Sequence, residues 1–93
     1  MAQHHGPHYY IVVYDAQQKQ LPRVLKTLRR YLHWVQNSVF EGELTRSQFL
    51  RLRQELRDII DPEQDSVILY RFSHRWLDRE TLGVEKGNIG MIL

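Results

Sequence analysis

The run Tyr9-Tyr10-Ile11-Val12-Val13-Tyr14-Asp15 constrains the fold more than any other stretch of this chain. Aromatic and β-branched residues suit a pleated, half-buried surface, and a run this short with apolar side chains on both faces predicts a central strand. Asp15 falls at the strand's C-terminal end. An open α/β sheet commonly presents functional groups there, and an aspartate there can equally just begin a turn.

At 93 residues the chain makes one domain with a small core, so oligomerisation is a natural supplement. It has no cysteine, which excludes a disulfide framework, a thiolate metal site and a cysteine nucleophile, and suits a reducing compartment. No apolar run approaches a membrane span or a signal-peptide core, so a soluble cytoplasmic protein is expected, with no membrane partner. The net charge of +2 conceals an uneven distribution. Between Ala16 and Phe40 stand Lys19, Arg23, Lys26, Arg29 and Arg30 with no acid, while acids return from Glu41 onward. That polarity suggests a positive surface for an anionic partner, against the plainer reading of a solvated helix face.

Residues 1–8 show no periodicity and read as a flexible arm; His4, His5 and His8 are metal-ligating types, but a loose terminus holds no fixed geometry. Pro22 suits the first turn of a helix running to about Leu32. Its buried face is Val24, Leu25, Leu28, Tyr31 and Leu32, with Arg23, Lys26 and Arg30 nearly opposite, spaced to track a phosphate backbone. Trp34 to Leu44 reads as two strands with the turn at Asn37-Ser38. Thr45 to Gln48 has the spacing of a capping box, flanked by Leu44 and Phe49 as a hydrophobic staple. The helix it begins buries Phe49, Leu52, Leu56, Ile59 and Ile60 and stops at Asp61-Pro62. Along its edge run Arg46, Arg53 and Arg57, whose stems can cover core residues or whose heads can meet phosphate or a partner's acids. Val67 to Phe72 is the last strong strand.

The order β-α-β-β-α-β predicts an α+β, ferredoxin-like sandwich over residues 9–72, with both helices on one face of an antiparallel sheet. The other face, also rich in large apolar residues, calls for a symmetric dimer stacked sheet to sheet. Residues 73–93 are too apolar for a free linker. They are expected to supply a short fifth strand near Leu82–Val84 that pairs with the partner's sheet edge and stabilises a homodimer; the alternative is packing back on its own domain.

The strand Tyr9 to Asp15, the basic helix, the segment Val35-Gln36-Asn37-Ser38-Val39-Phe40-Glu41-Gly42-Glu43-Leu44, Asp65-Ser66-Val67 and Leu82-Gly83-Val84-Glu85 together resemble the CRISPR-associated endonuclease Cas-two family. The resemblance covers nearly all of the chain after His8. It implies a prokaryotic ferredoxin-like homodimer that works with the Cas-one integrase to capture and insert fragments of invading DNA, and metal-dependent nuclease activity on RNA or double-stranded DNA. The family's metal-binding aspartate falls on Asp15, where two copies across a twofold axis would hold magnesium together with waters and phosphate oxygens. Tyr14, Ser38 and Phe40 are carried over as residues that shape the site. Two family arginines are replaced here, by Leu21 and Trp34, while Arg23 matches.

Two functions of different class follow from these expectations. One is a magnesium-dependent phosphodiesterase centred on paired Asp15. The other, favoured for the biological role, is a homodimeric adaptor whose Arg23, Lys26, Arg30, Arg46, Arg53 and Arg57 hold duplex DNA beside the integrase. A ferredoxin-like RNA-binding module without catalysis is the further alternative, and it lacks the expected Lys/Arg-Gly-aromatic signature.

Overall fold

The computed structural model describes residues 7–73 and 77–84. Its elements are β1 (His8–Asp15), α1 (Leu21–Tyr31), β2 (His33–Gln36), β3 (Val39–Leu44), α2 (Arg46–Ile59), β4 (Ser66–Phe72) and β5 (Leu77–Gly83). They form one antiparallel sheet in the order β2-β3-β1-β4-β5. β1 lies between β3 and β4, so each helix connects two strands that run parallel with a third between them. This is the expected α+β sandwich, with the Tyr9–Asp15 run at its centre.

Side chains alternate along β1 and divide the core in two. Tyr10, Val12 and Tyr14 join Phe40, Leu44, Val67, Leu69 and Leu82 under the helices, against Val24, Leu28, Leu52 and Leu56. Val13 faces the other way, in a smaller cluster with Ile68 and Tyr70, flanked by Ile11 and Val39. Leu28, Phe40, Leu52 and Leu56 are wholly removed from water. Burial on that scale contributes about 1.5–3 kcal/mol per side chain.

The helix boundaries follow from local chemistry. Pro22 stands in the first turn of α1, as expected. The capping box of α2 is complete: Gln48 N–H donates to Thr45 Oγ1 at 3.2 Å, and Thr45 N–H donates to Gln48 Oε1 at 2.9 Å. Phe49 then stacks on Tyr10 with ring centres 4.6 Å apart, which seats α2 on β1. α2 ends with an extended Ile60, one residue ahead of Asp61-Pro62. The β2–β3 turn falls at Asn37-Ser38, where Asn37 adopts φ +46°, a conformation asparagine tolerates better than most residues. Trp34 Nε1 donates to the Asn37 carbonyl at 3.0 Å and braces this turn.

The fifth strand differs from expectation in length and in partner. It spans Leu77–Gly83 and pairs antiparallel with β4 of its own chain, from Phe72↔Leu77 to Ser66↔Gly83. The physical reason is the short link: only residues 73–76 separate β4 from β5, a length suited to a return along the same edge. This covers the β4 edge that would otherwise be unpaired. The expected N-terminal arm, apart from Pro7 and His8, lies outside the described residues, as do Trp76 and residues 85–93.

Candidate metal and nucleic-acid site

Asp15 closes β1 as an exposed residue after three buried ones, Val12, Val13 and Tyr14. In register it stands opposite Ser66 on β4. By alternation it shares a sheet face with Tyr9, Ile11 and Val13, the face turned away from the helices. Tyr14, its neighbour, points the other way into the main core and packs against Phe40, ring centres 6.0 Å apart. Tyr14 and Phe40 therefore support the end of β1 from behind and do not line a surface beside the Asp15 carboxylate. Burial raises the Tyr14 phenol above its ordinary pKa, opposed by the positive charge of Arg29. The phenol is neutral near pH 7. Ser38 enters through its backbone, its carbonyl accepting the Tyr14 N–H at 3.1 Å.

Below Asp15 the chain turns sharply into α1. The Gln17 carbonyl accepts from the N–H groups of Gln20 and Leu21 at 3.0 and 2.9 Å. The turn is held from outside by Asp65, a fully buried carboxylate whose Oδ1 accepts the Gln17 N–H at 2.9 Å and whose Oδ2 accepts the Asp61 N–H at 2.8 Å. Gln17 Nε2 also donates to Gln64 Oε1 at 3.0 Å. In the sequence Asp65 stands out only as part of the segment Asp65-Ser66-Val67. An acid set directly before a buried strand was the available signal for a structural carboxylate.

The predicted cations divide into two groups. Arg23, Lys26 and Arg46 are exposed and make no ion pair among the described residues. Arg30 instead pairs with Glu55, whose second oxygen accepts the Tyr31 hydroxyl at 2.8 Å. Arg53 and Arg57 both reach Glu80 on β5, at 3.1 and 3.3 Å, and Arg53 also lies over the Phe49 ring. These two arginines thus tie α2 to β5, and Glu80 neutralises part of their charge. α1 has no acid in its first turn, where Arg23 stands, so the charge of that turn is positive.

Among the described residues no three His, Cys, Asp or Glu side chains come together as a ready-made metal cluster. The donor at the end of β1 nonetheless suits a hard cation: an exposed carboxylate. Magnesium retains waters and takes one or two carboxylates together with substrate phosphates, so Asp15 fits it when a second carboxylate is supplied from outside this chain.

The sequence profile of the family described as CRISPR associated protein Cas2 matches residues 8–80. The chain is 52% identical over 86 residues to the CRISPR-associated endoribonuclease Cas2 of Methanothermobacter thermautotrophicus, covering 91% of this chain and 94% of that protein. It is 47% identical over 85 residues to the protein of the same name from Thermotoga maritima, covering 90% and 98%. Among solved structures, one described as the crystal structure of Cas2 superposes with a TM-score of 0.70 at 42% identity, covering 94% of this chain and 99% of the other. The Streptococcus pyogenes Cas2 structure superposes with a TM-score of 0.64 at 34% identity, covering 73% and 89%. Profile, sequence relatives and fold agree over the same elements that carry Asp15: this chain belongs to the CRISPR-associated Cas2 family.

Proposed function

We propose that the chain is a homodimeric, divalent-metal-dependent endoribonuclease in which the Asp15 carboxylates of two copies share one ion. The carrying observation is the exposed Asp15 at the end of a buried central strand. The names of the M. thermautotrophicus and T. maritima relatives favour RNA as substrate. Dimerisation is supported by the sheet face that Asp15 occupies. Tyr9, Phe72 and Leu77 stand side by side there across three strands and are 40%, 40% and 51% exposed. A second copy laid on this face would cover them and bring the two strand ends together about a twofold axis.

Within that arrangement Asp15 would hold the cation, with waters and phosphate oxygens completing its shell. A bound magnesium ion supplies charge stabilisation at the phosphate and lowers the pKa of an attacking water. Arg23 and the N-terminal end of α1 orient the phosphodiester by charge. Neutral Tyr14 keeps the strand end rigid and takes no part in proton transfer. The experiment is cleavage of single-stranded RNA and of double-stranded DNA by the wild type and Asp15→Ala, each with magnesium and with chelator. Metal-dependent RNA cleavage lost in the variant supports the reading; cleavage that survives the substitution overturns it.

A second role, as an adaptor that holds duplex DNA beside the Cas-one integrase, is favoured by the exposed Arg23, Lys26 and Arg46, which make no ion pair among the described residues. Arg23 would serve both roles, whereas Lys26 and Arg46 lie outside the first, so both can reside in one protein. Salt-sensitive duplex binding that is retained by Asp15→Ala is its expected signature.

A further inference from the structure

We infer that Asp65 is a positioning residue for Asp15, holding the end of β1 in place through the backbone on either side of it. This rests on the reading of Asp15 as the metal carboxylate. Asp65 is fully buried, yet among the described residues no lysine or arginine pairs with it. A carboxylate removed from water without a cation is costly unless hydrogen bonds satisfy it. Here both oxygens accept backbone N–H groups, one from Gln17, two residues after Asp15, and one from Asp61 at the end of α2.

The placement is specific to the site. Ser66, the next residue, is the register partner of Asp15 on β4. Asp15 is therefore held on one side by the β1–β4 ladder and on the other by a loop that the Asp65 carboxylate grips. The same residue also receives the end of β5, its carbonyl accepting the Val84 N–H at 2.9 Å. Four segments meet at Asp65: the β1–α1 turn, the α2 exit, the start of β4 and the end of β5. None of these bonds touches the Asp15 side chain. Together they fix the backbone from which it projects, and an ion shared between two such side chains depends on that direction.

Asp65→Asn keeps the shape but turns an NH2 group toward one of the two backbone donors, so one bond is lost. The test uses manganese(II) alone as the probe, its free ion followed by electron paramagnetic resonance during titration of the dimer. Wild type, Asp15→Ala, Asp65→Asn and the remote core variant Leu52→Ala are compared, with melting temperatures measured in parallel. Asp15→Ala is expected to abolish binding. Asp65→Asn is expected to weaken it about tenfold, the usual scale for a group that orients a ligand. Leu52→Ala should lower the melting temperature and leave manganese affinity unchanged, which separates positioning from general stability. Wild-type affinity in Asp65→Asn overturns the positioning role while leaving Asp15 in place. Equal binding by wild type and Asp15→Ala overturns both. Should Asp65→Asn fail to fold, Gln17→Pro removes the Gln17–Asp65 bond from the donor side; a weakening of about tenfold is again expected, and unchanged affinity is again the overturning result.

Discussion

Gly83, at φ +83°, lies so close to the carbonyl of Asp65 that a Cβ there would come within 2.1 Å of the oxygen. The strained backbone and the contact both require glycine, because the Asp65 carbonyl is also the acceptor for Val84 and cannot simply move away. Gly83→Ala should destabilise the fold by about 1–3 kcal/mol from the backbone conformation alone, and further through the contact. A lower urea midpoint with an unchanged slope is the expected result. An unchanged midpoint would mean that β5 does not end against Asp65.

The capping box makes a second, milder prediction. Thr45→Ala removes the acceptor for the Gln48 N–H and should cost about 1 kcal/mol, whereas Thr45→Ser should retain most of it. Urea denaturation of the three proteins checks the order.

Much of this architecture was legible because it depends on neighbours in sequence. The β-branched run from Tyr9 predicts a central strand whatever lies elsewhere, and the Thr45/Gln48 spacing specifies a helix start within four residues. Asn37 tolerates a positive φ, which suits the turn position at Asn37-Ser38. The features that escaped depend on distant partners. The buried Asp65 makes sense only once Gln17, 48 residues away in sequence, is brought against it. Arg30 looks like a free cation until Glu55, 25 residues on, meets it. Arg53 and Arg57 are likewise paired only because β5 returns along its own β4 and delivers Glu80. The end of β1 was legible as a candidate site from one aspartate; the support around it was not.

Those ion pairs predict unequal contributions to nucleic-acid binding. Arg23→Ala and Lys26→Ala should each reduce the salt dependence of duplex binding by about one unit in the logarithmic slope. Arg53→Ala and Arg57→Ala should change it less, because Glu80 already neutralises part of their charge. Binding isotherms over a salt series distinguish the two groups, and equal slopes for all four variants would contradict the division.

Alkaline pH should weaken the fold through its buried tyrosines. Burial raises the phenols of Tyr10 and Tyr14, against the opposing charges of Arg71 and Arg46 on the first and Arg29 on the second. The unfolded chain therefore loses these protons first. Their contribution is complete below the ordinary tyrosine value of 10.0 and is lost as pH rises from there through the raised folded values. Tyr14→Phe should lose less stability than the wild type over that alkaline range. Urea midpoints measured at a series of pH values test this, and parallel pH profiles for the two proteins would contradict it.

The sharing of one ion by two Asp15 carboxylates is tested most directly by subunit mixing. Wild type and Asp15→Ala are exchanged at equal concentration until dimers are random, and magnesium-dependent RNA cleavage is measured. If both carboxylates are needed, only dimers with two wild-type chains cut, and activity falls to about a quarter. Activity at about half the wild-type value would mean that each chain works alone and would contradict the shared site.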